Sequence, residues 1–192
     1  IYHHLKKISI FASGSGSNAE NIIQYFQGIQ SVEVVLVLSN RKDSYVLTRA
    51  LKYSIPTFVF TKNELNNTTK VLDYLHKLNA SILILAGFLL KIPNNLLIKF
   101  PNKILNIHPS LLPLHGGKGM SGMNVHRSVI ENKDQVSGIT IHYVNEHYDQ
   151  GDYIFQATCP VLSSDSPEDL KQKVHDLERI HYPKIIASIL SE

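Results

Sequence analysis

Two periodicities alternate along the first half of the chain, and that alternation limits the fold more than any single motif. Lys7-Ile8-Ser9-Ile10-Phe11-Ala12 is a short apolar run of the kind a buried strand makes. Asn18 to Ile29 then carries Ala19, Ile22, Ile23 and Phe26 on one helical face. The pattern repeats: Val32 to Leu38 as a strand, Asp43 to Tyr53 as a helix, Thr57 to Phe60 as a short strand, and Thr68 to Leu78 as a helix. Ser81 to Phe88 is almost continuously apolar, as expected of a strand covered on both faces. This order predicts an α/β fold: a Rossmann-like, mostly parallel twisted sheet with helices on both faces.

The second half changes character. Pro93 to Lys99 reads as a short helix, Lys103 to His108 as a strand stopped by Pro109, and Leu114 to Asn124 as a Gly-rich loop. Val125 to Asn132 reads as a helix. Ile139 to Asn145 and Tyr153 to Val161 are strands joined by a short turn, a C-terminal antiparallel hairpin. Ser166, Pro167 and Asp169 mark the start of a long last helix, in which Pro183 is expected to make a kink. No internal repeat and no Pro/Ser-rich joint interrupts the chain. One domain, 1–192, is therefore expected, with a Gly-rich half at about 7–100 and a second half at about 101–190.

Composition excludes several classes. With 43% hydrophobic and 18% charged residues among 192, disorder is not expected. A net charge of +3 is too small to argue for a nucleic-acid-binding face. The single cysteine, Cys159, makes no internal disulfide and is expected to pack as a small hydrophobe. The run from Ser81 to Ile92 falls short of the ~18 apolar residues that cross a bilayer. Ile1 to Lys7 has no signal-peptide core. A soluble cytoplasmic enzyme is the expectation these features leave.

Ser13-Gly14-Ser15-Gly16-Ser17-Asn18 stands where the first strand gives way to the first helix. Unpaired N–H groups at a helix N-terminus suit a phosphate, and glycines let the backbone approach it. A plain capped turn would use the same residues. A dinucleotide fingerprint wants a third Gly, where Ala19 is a departure that some such sites tolerate, and an acid at the end of strand two. That strand ends Leu38-Ser39-Asn40-Arg41, and no Walker lysine is present. A single phosphate, such as that of a sugar phosphate, fits better than NAD or ATP.

Leu105-Asn106-Ile107-His108-Pro109-Ser110-Leu111-Leu112-Pro113 is the most informative segment. Strand alternation turns Asn106 and His108 to one side, at the carboxyl end where open α/β sheets place ligands. An amide donor beside an imidazole can stabilise a developing oxyanion and move a proton. A satisfied strand-end pair is the alternative. In the hairpin, His142 shares the Thr140/Val144 face, and Asp149 sits in Tyr148-Asp149-Gln150-Gly151-Asp152. Asp149 beside a catalytic His would raise the imidazole pKa, yet Asp-x-Gly is also ordinary turn chemistry.

Taken together, these segments resemble the phosphoribosylglycinamide formyltransferases, the folate-dependent formyltransferases of purine synthesis. The likeness rests on Ser13 to Asn18, Leu85-Ala86-Gly87-Phe88, Asn106 to Pro113, and His142 with Asp149-Gln150-Gly151, in the same order from about Lys7 to Leu190. It implies transfer of formyl from 10-formyltetrahydrofolate, as co-substrate, to the amine of glycinamide ribonucleotide, without metal, NAD or ATP. It places a catalytic triad on Asn106, His108 and Asp149, with His142 in support. It places phosphate contacts on Ser15, Gly16, Ser17 and Asn18, and ribonucleotide contacts on Pro109 and Glu178, the latter near the amine. It places pterin contacts on Leu89, Leu90, Lys91 and Ile92, on Asn106, and on Val144, Asn145, Glu146, His147 and Tyr148. From the helix pattern alone Glu178 reads as a solvated residue, because Leu170, Val174 and Leu177 form the buried stripe.

Two departures stand out. The Leu114 to Met123 loop is longer than the family's common one, and Lys91 follows Leu89-Leu90 where many members carry Arg one place earlier. His115, His126, His175 and His181 show no metal-ligand spacing. Rival readings are a sibling N-formyltransferase acting on another amine such as a sugar nucleotide, a non-catalytic phosphate-binding module, and a Rossmann dehydrogenase. Siblings with an added domain, at either end, are not expected in a chain that begins at the Gly-rich strand. Small-molecule partners are expected, with no nucleic acid and no membrane, in a monomer or homodimer.

Overall fold

The computed structural model describes residues 5–191. Ile1 to His4 lie outside them, so the absence of a signal-peptide core there is a reading of sequence alone. The elements are β1 (Lys6–Phe11), α1 (Ser17–Phe26), β2 (Val32–Ser39), α2 (Tyr45–Lys52), β3 (Thr57–Val59), α3 (Lys62–Asn67), α4 (Lys70–Lys77), β4 (Ile82–Leu85), α5 (Asn94–Lys99), β5 (Ile104–His108), α6 (Met123–Glu131), β6 (Val136–Tyr143), β7 (Tyr153–Pro160) and α7 (Pro167–Ser191). The strands order as β3-β2-β1-β4-β5-β6-β7 in a seven-stranded sheet. β1 pairs in parallel with β2 and β4, β2 pairs in parallel with β3, and β6 and β7 are antiparallel. The mostly parallel sheet with a C-terminal antiparallel pair is the fold that the alternating periodicities predict.

The chain divides into two compact units, 1–105 and 106–192. In the first, Ile8, Ile10, Phe11, Leu83 and Ile84 are fully buried, as their apolar runs require. Burying each such side chain contributes about 1.5–3 kcal/mol. Phe11 packs edge-on against Phe60 and Phe88, with ring centroids 6.0 and 5.3 Å apart. β4 is shorter than the apolar run Ser81 to Phe88, because the chain leaves the strand at Ala86 and takes φ +71° at Gly87. The sequence reading passed over α3, although its signal is present. Thr61 accepts from the Glu64 N–H at 3.1 Å, and Glu64 accepts from the Thr61 N–H at 2.8 Å, a capping box.

In the second unit the segment after β5 is stitched to the hairpin by one buried hydroxyl. Thr140 Oγ1 donates to the Ser110 carbonyl at 2.8 Å, and accepts from the Leu112 N–H at 3.0 Å and from Gln156 Nε2 at 2.9 Å. β6 begins at Val136, earlier than the expected Ile139, since Val136 to Gly138 still pair with Pro160 to Thr158. α7 starts as expected. Ser166 Oγ accepts from the Asp169 N–H at 3.1 Å, and Asp169 accepts from the Ser166 N–H at 2.9 Å. The helix runs on to Ser191 with Pro183 inside it, and Tyr182 and Pro183 are both buried. Among the described residues, no helix is long and apolar enough to cross a membrane.

Candidate active site

In the first unit the turn after β1 is built around Gly16. Its φ of +75° is left-handed, and a Cβ there would lie 2.3 Å from Val46 Cγ2 and 2.7 Å from Val46 Cα. Only glycine meets both demands. Gly16 is the residue from which α1 starts, with the Glu20 N–H bonded to its carbonyl at 2.8 Å. The N–H groups that follow it belong to the first helical turn, which has no intrahelical acceptors. Ser15 is exposed, while Ser17 and Asn18 are partly so. Ser13 Oγ donates to Asn40 Oδ1 at 2.6 Å and accepts from the Leu89 N–H at 3.0 Å. Asn40 thus anchors the turn, at the place where a dinucleotide site would hold an acid.

Arg49 is a contributor that the sequence reading missed. Its Nε donates to the Ser15 carbonyl at 2.8 Å, and its guanidinium pairs with Glu20. Nothing local marks it, because the contact joins α2 to a turn 34 residues earlier. Gly16→Ala is expected to destabilise the protein by about 1–3 kcal/mol through overpacking alone, read from the urea midpoint. An unchanged midpoint would mean that Val46 and α2 give way freely.

In the second unit the strand end, the hairpin and the Gly-rich loop meet. Asn106 is half-buried and His108 is buried at the end of β5. His142 Nδ1–H donates to the Tyr143 carbonyl at 2.8 Å, which leaves Nε2 to accept from Asn106 Nδ2 at 3.1 Å. His142 therefore fixes the amide of Asn106 and leaves its second N–H for another partner. His108 Nε2–H donates to the His115 carbonyl at 2.8 Å, so Nδ1 turns toward Asp149 Oδ2 at 3.5 Å. Asp149 takes φ +55° in the hairpin turn and accepts from the Gly117 N–H at 2.9 Å. The turn closes tightly, since a Cβ on Gly151 would sit 1.7 Å from the Tyr143 carbonyl oxygen. Asp149 Oδ1 lies 3.7 Å from His142 Nε2, beyond a hydrogen bond.

Burial and charge act in opposite directions on this cluster. Burial pushes the His108 imidazole down, the Asp149 carboxylate and the His115 carbonyl pull it up, and the net direction is below its ordinary 6.5. Asp149 does act upward on the imidazole, as expected of a neighbouring carboxylate, but desolvation outweighs it and favours the neutral ring. For Asp149, burial pushes the carboxyl up. His142, the charge of His108 and the Gly117 N–H outweigh it, and the net direction is down. The environment thus pushes the imidazole toward its neutral form and the carboxyl toward its ionised form.

Glu178 is not a solvated helix residue. Its side chain is 13% exposed, it accepts from His175 Nδ1 at 3.3 Å, and its charge is felt at both His108 and His126. His126 is buried on α6, and burial pushes its imidazole down against the pull of Glu178. Pro109 follows His108 and is half-buried. Of the segments expected to hold a pterin, Leu89 and Lys91 are exposed, Leu90 is half-buried and the Ile92 side chain is in the core. Val144 and Asn145 are half-buried, and Glu146, His147 and Tyr148 are exposed. The His147 N–H donates to Asn145 Oδ1 at 2.9 Å. Cys159 is buried, which pushes its thiol up. No group of three His, Cys, Asp or Glu among the described residues is placed to hold a metal ion.

Comparison with known proteins bears on this arrangement. A family model described as "Formyl transferase" matches residues 6–186. A phosphoribosylglycinamide formyltransferase of Haemophilus influenzae is 35% identical over 95% of this chain and 86% of its own length. One of Bacillus subtilis is 32% identical over 97% of this chain and 95% of its own length. A chloroplastic phosphoribosylglycinamide formyltransferase of Arabidopsis thaliana is 38% identical over 97% of this chain, but the chain spans only 66% of that protein's length. A solved phosphoribosylglycinamide formyltransferase from Anaplasma phagocytophilum superposes with a TM-score of 0.89 at 32% identity, covering 97% of this chain and 87% of that one. A profile that runs nearly the whole length, with relatives this similar along it, places the chain in the formyl transferase family.

Proposed function

We propose that the protein transfers the formyl group of 10-formyltetrahydrofolate to the primary amine of glycinamide ribonucleotide, giving the formylated ribonucleotide and tetrahydrofolate. The observation that carries this reading is the cluster of Asn106, His108 and Asp149, an amide, an imidazole and a carboxylate. Relatives named for this activity, at 32–38% identity, support it.

The chemistry follows from the groups. The amine nitrogen attacks the formyl carbon, and the carbonyl oxygen takes up negative charge. The Asn106 N–H not held by His142 donates to that oxygen. His108 Nδ1 accepts the proton that the amine releases, and the resulting imidazolium is stabilised by Asp149. The same proton passes to N10 of the folate as the carbon–N10 bond breaks, so the amine loses one hydrogen and the leaving nitrogen gains it. Glu178 attracts the amine end of the ribonucleotide, which lies along Pro109. Ser15, Gly16, Ser17 and Asn18 receive its phosphate through backbone N–H groups. Leu89 to Ile92 and Val144 to Tyr148 hold the pterin, Ile92 through its backbone. A cytoplasmic location and a monomer or homodimer belong to the same reading.

The proposal is tested by following tetrahydrofolate release with glycinamide ribonucleotide and with an amino-sugar nucleotide as acceptors. Turnover with the first and none with the second is expected, and the reverse would assign the protein to a sibling activity. The part of the acid limb of kcat/KM that depends on His108, as distinct from the limb set by the substrate amine, is expected to lie below 6.5, because His108 must be neutral and its pKa is lowered by burial. Activity falls as pH drops through that lowered value. A limb at or above 6.5 that is absent from His108→Asn would contradict a neutral resting ring.

A further inference from the structure

The Gly-rich loop contains a second histidine whose side chain is held at both ring nitrogens. His115 Nε2–H donates to Asp134 Oδ2 at 2.6 Å, and its Nδ1 lies 2.8 Å from the Ser128 hydroxyl. Asn132 Nδ2 in turn donates to Asp134 Oδ1 at 2.6 Å. The ring is 10% exposed and the Asp134 side chain 20%. The His115 backbone is left-handed, φ +53°, a conformation that β-carbon-bearing residues adopt at a penalty. In that conformation its carbonyl receives His108 Nε2–H at 2.8 Å. The preceding carbonyl, of Leu114, accepts from Ser110 Oγ at 2.6 Å.

We propose that His115 is a positioning residue for His108: its side chain, tied to Ser128 on α6 and to Asp134 just after it, holds the carbonyl that fixes the His108 proton on Nε2. A carbonyl oxygen can only accept, so this bond selects one tautomer. Nδ1 then carries the lone pair and faces Asp149. This rests on the proposed role of His108 in catalysis, but its structural half stands apart from that role. Without the ring ties, the left-handed His115 loses its anchorage to Ser128 and Asp134, and the tautomer of His108 is no longer dictated. Misplacement of a reacting group by about 1 Å can lower rates by ~10²-fold.

The test uses the full chain without ligand and two variants. His115→Gly keeps a left-handed backbone and removes both ties. Asp134→Ala removes one tie at a partly exposed position. Long-range 1H–15N spectra of the imidazoles read the His108 tautomer with no substrate present. The wild type is expected to show the Nε2–H form alone, and both variants a mixture with Nδ1–H. In the formyl-transfer assay kcat is expected to fall about tenfold or more, with KM for either substrate within about twofold. An Nδ1–H form in the wild type overturns the proposal. So does a wild-type His108 spectrum in folded His115→Gly and Asp134→Ala. Absence of formyl transfer by the wild type would overturn the proposed function and leave the spectroscopic result to decide this inference.

Discussion

Asp149→Asn is expected to lower kcat by about 10²–10⁴-fold, the range for loss of a group that supports proton transfer, while the chain stays folded. The substitution is nearly isosteric. The amide oxygen can still accept from the Gly117 N–H, which now bonds Asp149 at 2.9 Å. What disappears is the negative charge 3.5 Å from His108 Nδ1. On the resting ring that charge opposes burial and is outweighed by it. It acts on the imidazolium formed when the amine gives up its proton, and so it lowers the barrier without tightening substrate binding. The measurement is kcat at saturating substrates beside a thermal midpoint. A rate within about threefold of wild type would show that the imidazolium needs no counter-charge.

Asn106→Ala is expected to lower kcat by about 10²–10³-fold, as loss of one oxyanion donor does elsewhere. The amide is held ready by His142, whose Nε2 accepts from it at 3.1 Å. An oriented donor needs no rearrangement when charge develops. The truncation also leaves His142 Nε2 without its partner, so a modest loss of stability is expected with the loss of rate. KM for the ribonucleotide is expected to change little, because the lost bond forms on the transferring oxygen. A rise in KM at unchanged kcat would instead make Asn106 a binding residue.

Much of this was legible in the sequence because it depends on local periodicity. Ile8, Ile10, Val35 to Leu38 and Ile82 to Leu85 read as buried strands from their own neighbours, and they are buried. The period of two alone turns Asn106 and His108 to one side. The rest depends on distant contacts. Gly16 reads as a turn glycine, but Val46, which forbids a side chain there, stands thirty positions on. Asp149 looks like an ordinary turn residue until the loop brings the Gly117 N–H to it. Arg49 and His115 carry no local mark at all. His108 is a related case: a neighbouring carboxylate is legible in a motif, but the burial that outweighs it depends on distant packing. The α3 capping box was different, since Thr61 and Glu64 carried the signal in plain view.

The most direct measurement follows the carbon itself. With 13C-formyl-labelled 10-formyltetrahydrofolate and unlabelled glycinamide ribonucleotide, a single turnover is expected to place the label on the ribonucleotide amine. Tetrahydrofolate should appear in equal amount, and the transfer should collapse in Asp149→Asn. Label recovered as formate, or label transferred equally well by a folded Asp149→Asn protein, would contradict the account.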